Sequence, residues 1–374
     1  MTKNLEKNTV NVAVVGTGFG QKVHIPGLQE HPRTQIVAVY HRDLQKAKEI
    51  ASAQNITHAC CTVEDIVALP EVQAVSISTP PFLHYEMAKT VLQAGKHLLL
   101  EKPTTLSASE ARKLYDLAKK KGAIAVMDFE FRFVPAWMRF AELLSENYVG
   151  QKRLIKIDWL VSSRADATRP WNWYARKDLG GGALGAVASH AFDYISWLFG
   201  PARRLSANLS TSIPTRPDPA TGKMKQVDAD DTCMLMLELA DGTPCQICIS
   251  SVTYQGRGHW VEVYGDRGTL ILGSDNQKDY VHGFRLWASP AVKNLTEVEI
   301  PHRLDFPKNY TDGRIAPFMR VVDRWLQGID AGAAVTPSLR EGVYSQLLMD
   351  LTHQSNELGK WVEVPNLENF LGSS

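Results

Sequence analysis

The chain has 374 residues, 44% of them hydrophobic and 22% charged, which is enough for two domains with full cores and ordinary for a globular protein. Lys+Arg number 41 against 40 for Asp+Glu, a balance with no net field to favour nucleic acid or an anionic membrane surface. No apolar run approaches a membrane span, residues 1–9 read as a loose polar tail rather than a secretion signal, and the five cysteines are odd in number and form no framework, so a reducing cytoplasm is expected.

Residues 12–15 read as a buried strand that runs straight into Gly16-Thr17-Gly18-Phe19-Gly20-Gln21, with a helix following to Gln29. Strand, glycine turn and helix are the parts of a dinucleotide site. Gly16 permits the tight turn, and Gly18 lets the backbone approach a pyrophosphate at the helix start. The third glycine of the pattern belongs at position 21, where Gln21 stands; Gly20 is one place early. The next strand, residues 35–40, ends in His41-Arg42-Asp43. An NAD site places an acid near here for the ribose 2′-hydroxyl. A histidine and an arginine instead attract a 2′-phosphate, so NADP(H) is expected over NAD(H). The competing reading has Arg42 solvated and Asp43 as the N-cap of the helix that follows.

Cys60-Cys61 on a short strand point to opposite faces and read as packing; Thr62 with Asp65 opens a short helix. Residues 74–78 form another strand, stopped by Thr79-Pro80-Pro81, after which His84 opens a helix closed at Gly95. Then comes His97-Leu98-Leu99-Leu100-Glu101-Lys102-Pro103, an apolar run ending in an acid, a base and a proline. Pro103 cannot donate to a ladder and disfavours helical geometry at Lys102, so Glu101 and Lys102 stand at the carboxyl end of a buried strand. Ligands of open α/β sheets bind at that edge. A lysine fixed there can aim its charge at a substrate, although strand-end lysines more often snorkel to water. A helix capped by Ser107 and a sixth strand, residues 123–127, complete an alternating pattern that predicts a parallel doubly wound sheet, domain 1–128.

From 129 to 374 the alternation breaks. After a helix over 133–146 comes an alternating strand, 154–161, and an aromatic loop containing Arg169, Trp171, Trp173 and Tyr174. Gly180-Gly181-Gly182 leads into a helix from about 186 to 198, on which His190, Asp193, Tyr194 and Trp197 share a face. Seven strand candidates follow, with turns at Asp241-Gly242 and Asp266-Arg267-Gly268, then two helices and a short edge strand near Trp361. The expected architecture is α/β, with a large, mostly antiparallel open sheet in this domain. Cys245 and Cys248 spell C-x-x-C on a strand, where the thiols face opposite sides; with no second pair for zinc, no metal site is expected. A lone helical histidine is more often a bonded core residue than a catalyst, but an acid on its face beside a cofactor domain favours an acid/base role for His190.

These residues together resemble the glucose–fructose oxidoreductase / inositol dehydrogenase / rhizopine catabolism (Gfo/Idh/MocA) family over about the whole chain. The resemblance rests on Gly16-x-Gly18, Ser78-Thr79-Pro80 with His84, Ala94-Gly95-Lys96-His97 leading to Glu101-Lys102-Pro103, Arg132-Phe133-x-Pro135, the glycine run into Ser189-His190-x-x-Asp193, and Glu341-Gly342. It implies a Rossmann domain that holds the dinucleotide through Gly16, Thr17, Gly18, Phe19, Gly20, His41, Arg42, Ser78, Thr79, Pro80, His84, Glu101 and Lys102. It implies that Lys102 polarises a substrate oxygen while His190 exchanges the hydroxyl proton as hydride passes to or from nicotinamide. The implied substrate is a sugar, polyol or related small molecule. Trp171, Trp173 and Tyr174 are candidates to stack on a sugar face, and Arg169 and Asp193 to bind hydroxyls. The second domain's open sheet face implies a homodimer or homotetramer. Many dehydrogenases of the family carry an aspartate four residues before the histidine, where this chain has Ala186; Asp193, one turn later, is the candidate to compensate. That departure keeps an alternative in view, a sensor or regulator that binds dinucleotide and sugar without turnover.

Overall fold

The computed structural model describes residues 9–276 and 280–372; residues 1–8, nearly all of the polar tail, lie outside the described residues. The chain forms two compact units, Met1–Glu130 with Tyr310–Val343, and Phe131–Asn309 with Tyr344–Ser374.

In the first unit, strands β1 (Val10–Val15), β2 (Thr34–Tyr40), β3 (His58–Cys60), β4 (Ala74–Ile77), β5 (His97–Leu100) and β6 (Ala125–Met127) make one parallel sheet in the order β3-β2-β1-β4-β5-β6. This is the strand order of doubly wound dinucleotide-binding sheets. All of β4 and Leu98, Leu99 and Leu100 of β5 are buried, because strands covered on both faces have no polar side to show. Local chemistry sets the helix ends. Asp43 caps Leu44–Ala53, Thr62 and Asp65 form a reciprocal capping box, and Gly122 takes a left-handed φ of 64° after Ala108–Lys121. The helix expected to run unbroken to Gln29 is two short ones, Phe19–Lys22 and His24–Glu30, interrupted at Val23.

Residues 310–343 return to this first unit. Trp325 Nε1 donates to the Ile124 carbonyl at 3.2 Å, and the Met127 amide donates to the Pro337 carbonyl at 3.2 Å, so the returning segment covers the β6 edge. A single cut after residue 128 assigns that segment to the other domain, because a reading in chain order has no signal for a return.

The second unit contains β7 (Lys152–Leu160), β8 (Ala202–Ser210), β9 (Thr215–Pro217), β10 (Met224–Gln226), β11 (Thr232–Leu239), β12 (Pro244–Ser250), β13 (Gly258–Gly265), β14 (Gly268–Ser274), β15 (Arg285–Pro290), β16 (Thr296–Glu297) and β17 (Val362–Glu363). Nine of them form the sheet β16-β15-β14-β13-β7-β12-β11-β8-β17, and β9 pairs with β10 in a separate hairpin. Every pairing in the large sheet is antiparallel except β7 with β12, which makes it mixed. Its two faces differ. On β11, Cys233, Leu235 and Leu237 are buried, while Met234 and Met236 are exposed. The exposed face also carries Trp260 stacked on Trp287 at 5.5 Å, with Arg257 over the first ring and Arg285 over the second.

Candidate active site

Three sequence features of the first unit meet at one edge of its sheet. The glycine turn leaves the end of β1, Ser78-Thr79-Pro80 leaves β4, and Glu101-Lys102 leaves β5; β1 neighbours β4, and β4 neighbours β5. Gly16 has φ 106°, and a Cβ there would lie 2.7 Å from the Ser78 carbonyl carbon. A Cβ on Gly18 would meet nothing within 4 Å, so this stretch of backbone is open to approach. A Cβ on Gly20 would collide with Ser78 Oγ. Gly20 therefore supplies the close helix–strand packing that the expected glycine at position 21 serves. Ser78 is buried and its hydroxyl donates to the Gly16 carbonyl at 3.1 Å, so it shapes the turn from behind. Thr17 and Phe19 flank the open backbone, and Arg314 lies over the Phe19 ring at 4.8 Å.

His84 differs from expectation. It is fully buried, with Nε2 2.7 Å from the Thr79 carbonyl and Nδ1 2.9 Å from the Pro103 carbonyl. Its ring braces the ends of β4 and β5 against each other. Glu101 likewise faces inward. One carboxylate oxygen lies 3.1 Å from His24 Nε2, and the other accepts from the Lys102 amide at 3.1 Å. Lys102 itself is half-buried at the strand end.

His24, Glu101 and Asp128 form a buried cluster whose ligating atoms lie within 4.8 Å of one another. His24 Nε2 is 3.6 Å from Asp128, its Nδ1 is 2.7 Å from Ser76 Oγ, and its ring stacks on Phe318 at 4.4 Å. Burial lowers the His24 imidazole, but bonding to Asp128 and Glu101 outweighs it and raises the group to about 9. Burial and the Glu101 charge push Asp128 up to about 7. Burial also raises Glu101, yet the His24 bond and the Lys102 charge hold it low, at about 2. An imidazolium thus pins Glu101, and Glu101 pins the backbone of Lys102. His24 and Asp128 were missed from sequence. The available signal is that Asp128 directly follows β6, the strand beside β5, at the same sheet edge as Lys102.

In the second unit, His190 opens the helix Ser189–Phe199 directly after a π-helical turn, Leu184–Ala188, that contains Ala186. His190 is 5% exposed; its ring meets Phe131 edge-on at 4.9 Å and lies 6.1 Å from Trp159. Trp159 stacks at 3.9 Å on His259, whose buried imidazole is pushed down to about 3 by burial alone. The glycine run lets this segment press on the stretch just before β11. Gly182 has φ 92° and sits against Asp230, whose carboxylate accepts from the Leu184 amide at 2.9 Å.

Asp193 is placed otherwise than expected. Its two oxygens accept from Arg132 Nε at 2.9 Å and Nη2 at 2.6 Å, and it is 3% exposed. The carboxylate joins two sequence motifs, Arg132-Phe133-x-Pro135 and Ser189-His190-x-x-Asp193. The aromatic loop is strapped to the β9–β10 hairpin, with the Trp171 amide donating to the Pro217 carbonyl at 2.8 Å and Nε1 to the Gln226 carbonyl at 2.9 Å. Lys225 lies 4.6 Å over the Trp171 ring and Arg164 lies 3.9 Å over the Tyr174 ring, so one face of each is taken. Trp173 packs edge-on against Tyr174 at 5.8 Å, and Arg169 donates to the Ser163 carbonyl at 2.8 Å.

A family model described as the NAD-binding Rossmann fold of an oxidoreductase family matches residues 10–129, and its partner model, the C-terminal alpha/beta domain, matches residues 141–364. The chain belongs to the Gfo/Idh/MocA oxidoreductase family. Within it, an uncharacterized oxidoreductase of Synechocystis sp. is 57% identical over 363 residues, spanning 97% of this chain and 98% of that relative. Levoglucosan dehydrogenase of Pseudarthrobacter phenanthrenivorans is 26% identical over 410 residues, spanning 96% and 99%. A solved structure of levoglucosan dehydrogenase in complex with NADH and L-sorbose superposes with a TM-score of 0.87 at 24% identity, covering 96% of this chain and all of that one, and so shares the fold. Among the described residues, no helix of this Gfo/Idh/MocA chain is long and apolar enough to cross a membrane.

Proposed function

We propose that this protein is an NADP(H)-preferring oxidoreductase acting on the carbinol or carbonyl carbon of a sugar, polyol or related small molecule. The observation that carries the proposal is the shared sheet edge. An open glycine turn at β1 and a pinned lysine at β5, two strands over, stand about 10 Å apart by strand spacing. A dinucleotide whose pyrophosphate rests on the turn can thus bring its far end toward Lys102. The residues fit such a ligand, since the backbone at Gly18 is unobstructed and Gly16 and Gly20 leave no side chain in the way. The dinucleotide, when bound, supplies or accepts the hydride. Lys102 holds the substrate oxygen by its positive charge, and His190 takes or returns the hydroxyl proton. Glu101 and His84 position Lys102 through its own amide and through Pro103.

The preference for NADP(H) rests on Arg42. Asp43 gives its carboxylate to the Gln45 and Lys46 amides as an N-cap, so that acid is engaged by its own helix; Arg42 is exposed, as the competing reading of a solvated arginine also requires, and the titration below separates the two. The open sheet face, with Met234, Met236 and the Trp260–Trp287 stack, supports a homodimer or homotetramer. The cysteines are all free thiols, as a cytoplasmic protein keeps them. Fluorescence titration with NADPH and with NADH tests the cofactor, and tighter NADPH binding is expected; equal or reversed affinities refute the Arg42 reading. Lys102→Ala with His190→Ala should abolish turnover and keep cofactor binding, and a fully active double variant refutes the site. Ala186 favours one second reading, a sensor that binds dinucleotide without turnover. Stoichiometric NADPH binding with no activity on any carbonyl selects it.

A further inference from the structure

The turn after β7 gathers three arginines. Arg216, 8% exposed, donates from Nη1 to the Asp166 carbonyl at 2.7 Å and from Nη2 to the Arg164 carbonyl at 2.6 Å. Arg169 donates to the Ser163 carbonyl of the same turn at 2.8 Å. Arg164, half-buried, lies with its guanidinium 3.9 Å over the Tyr174 ring. Among the described residues none of the three is paired with a carboxylate, whereas Arg132, Arg176 and Arg314 each are. The nearby acids, Asp166 and Asp231, act on Arg216 only through space, and Asp166 likewise on Arg169, while their hydrogen bonds go elsewhere. Asp166 accepts from the Thr168 amide and hydroxyl at 2.8 and 2.7 Å, and Asp231 accepts from the Ser212 and Ile213 amides at 2.7 and 3.0 Å. Burial, with Arg169 and Arg216 close by, pushes the Arg164 guanidinium below its ordinary value. Three guanidinium groups, one buried and one half-buried, are thus held together with no direct carboxylate contact, an arrangement that an anion bound among them would stabilise.

We propose that Arg164, Arg169 and Arg216 form an oxyanion subsite, and that the sugar-like substrate carries a phosphate or carboxylate group. This inference rests on the reading of the second unit as the substrate-binding one. Chain length supports the placement. Arg164 follows Trp159, the neighbour of His190, by five residues, which bounds their Cα separation at about 17 Å. Guanidinium groups suit the role, since their planar donors match an oxyanion in pairs.

The test is calorimetric titration of the NADPH-loaded protein with glucose 6-phosphate, glucuronate, glucose and inorganic phosphate. The expected result is that one of the two anionic sugars binds about tenfold or more tighter than glucose, and that Arg164→Gln removes most of this advantage. Arg169→Gln, at an exposed position, provides the same readout if Arg164→Gln fails to fold. NADPH affinity should not change in either variant. A phosphorylated sugar preferred over glucuronate names phosphate as the group, and the reverse names carboxylate. Glucose binding as tightly as both anionic sugars, or an advantage kept in both variants, overturns the proposal. So does inorganic phosphate binding as tightly as glucose 6-phosphate, which would mark a free-phosphate site. A charge-dependent affinity in a protein with no turnover would keep this subsite and refute the oxidoreductase; turnover of neutral sugars unaffected by either variant would do the opposite.

Discussion

Asp193→Asn separates a structural carboxylate from a substrate-binding one. Asp193 and Arg132 are 3% and 9% exposed and share two hydrogen bonds of 2.6 and 2.9 Å, and the guanidinium lies 5.6 Å from the Trp197 ring. Removing the negative partner breaks a buried, doubly bonded ion pair, a loss of about 3–5 kcal/mol. For a unit of roughly 200 residues that corresponds to about 6–20 °C in Tm. The ring contact holds Arg132 in place, so little relaxation toward solvent is available to lessen the cost. Replacing both groups at once, Arg132→Met with Asp193→Leu, should recover most of the stability, because two apolar side chains leave no charge unsolvated. The assay is urea and thermal unfolding followed by tryptophan fluorescence. It reports mainly on the second unit, which holds every tryptophan except Trp325. If Asp193→Asn leaves Tm within about 1 °C of the parent and instead raises KM for substrate, the carboxylate serves the ligand and the argument for a structural pair fails.

The buried cluster gives stability a pH dependence. Asp128 titrates near 7 in the folded protein against an ordinary 3.8, so its contribution is full below about 3.8 and is lost as pH rises toward 7. Asp128→Asn should therefore flatten the fall in stability between about pH 4 and 7; parallel pH–stability curves for the two proteins would refute it. His24, raised to about 9, adds stability that is full below 6.5 and lost through 9, so the parent should weaken further in alkaline denaturation. Gly16→Ala forces a side chain onto a left-handed backbone pressed against Ser78, and should cost about 1–3 kcal/mol and weaken NADPH binding; an unchanged Tm would show that the turn is not held in this form. Trp260→Glu on the open sheet face should shift sedimentation toward the monomer, and an unchanged assembly would place the interface elsewhere.

Much of this protein was determined by local sequence. The apolar run Leu98–Leu100 could only be a strand covered on both faces. Pro103 had to end it, and the alternation of strand and helix up to residue 127 implied the parallel sheet that is observed. Caps at Thr62 and Ser107 were legible because a cap bonds amides two or three residues away, and the cap at Asp43 came only with the competing reading of Arg42. The positions of Gly16, Gly18, Glu101 and Lys102 at one sheet edge followed from the same reasoning. What sequence could not supply was side-chain partnership across distance. His24 meets Glu101 from 77 residues away, and Arg132 meets Asp193 from 61. Asp193 and His84 carry residue types that suit ligand binding, yet each is turned inward by a partner that no periodicity announces. The same holds for the return of residues 310–343 to the first unit and for the three arginines gathered on one turn. Helices, strands and caps are short-range in the chain, so a window of residues contains their causes. Whether a polar side chain faces a ligand or a buried partner depends on which remote segment packs over it, and only the tertiary structure decides that.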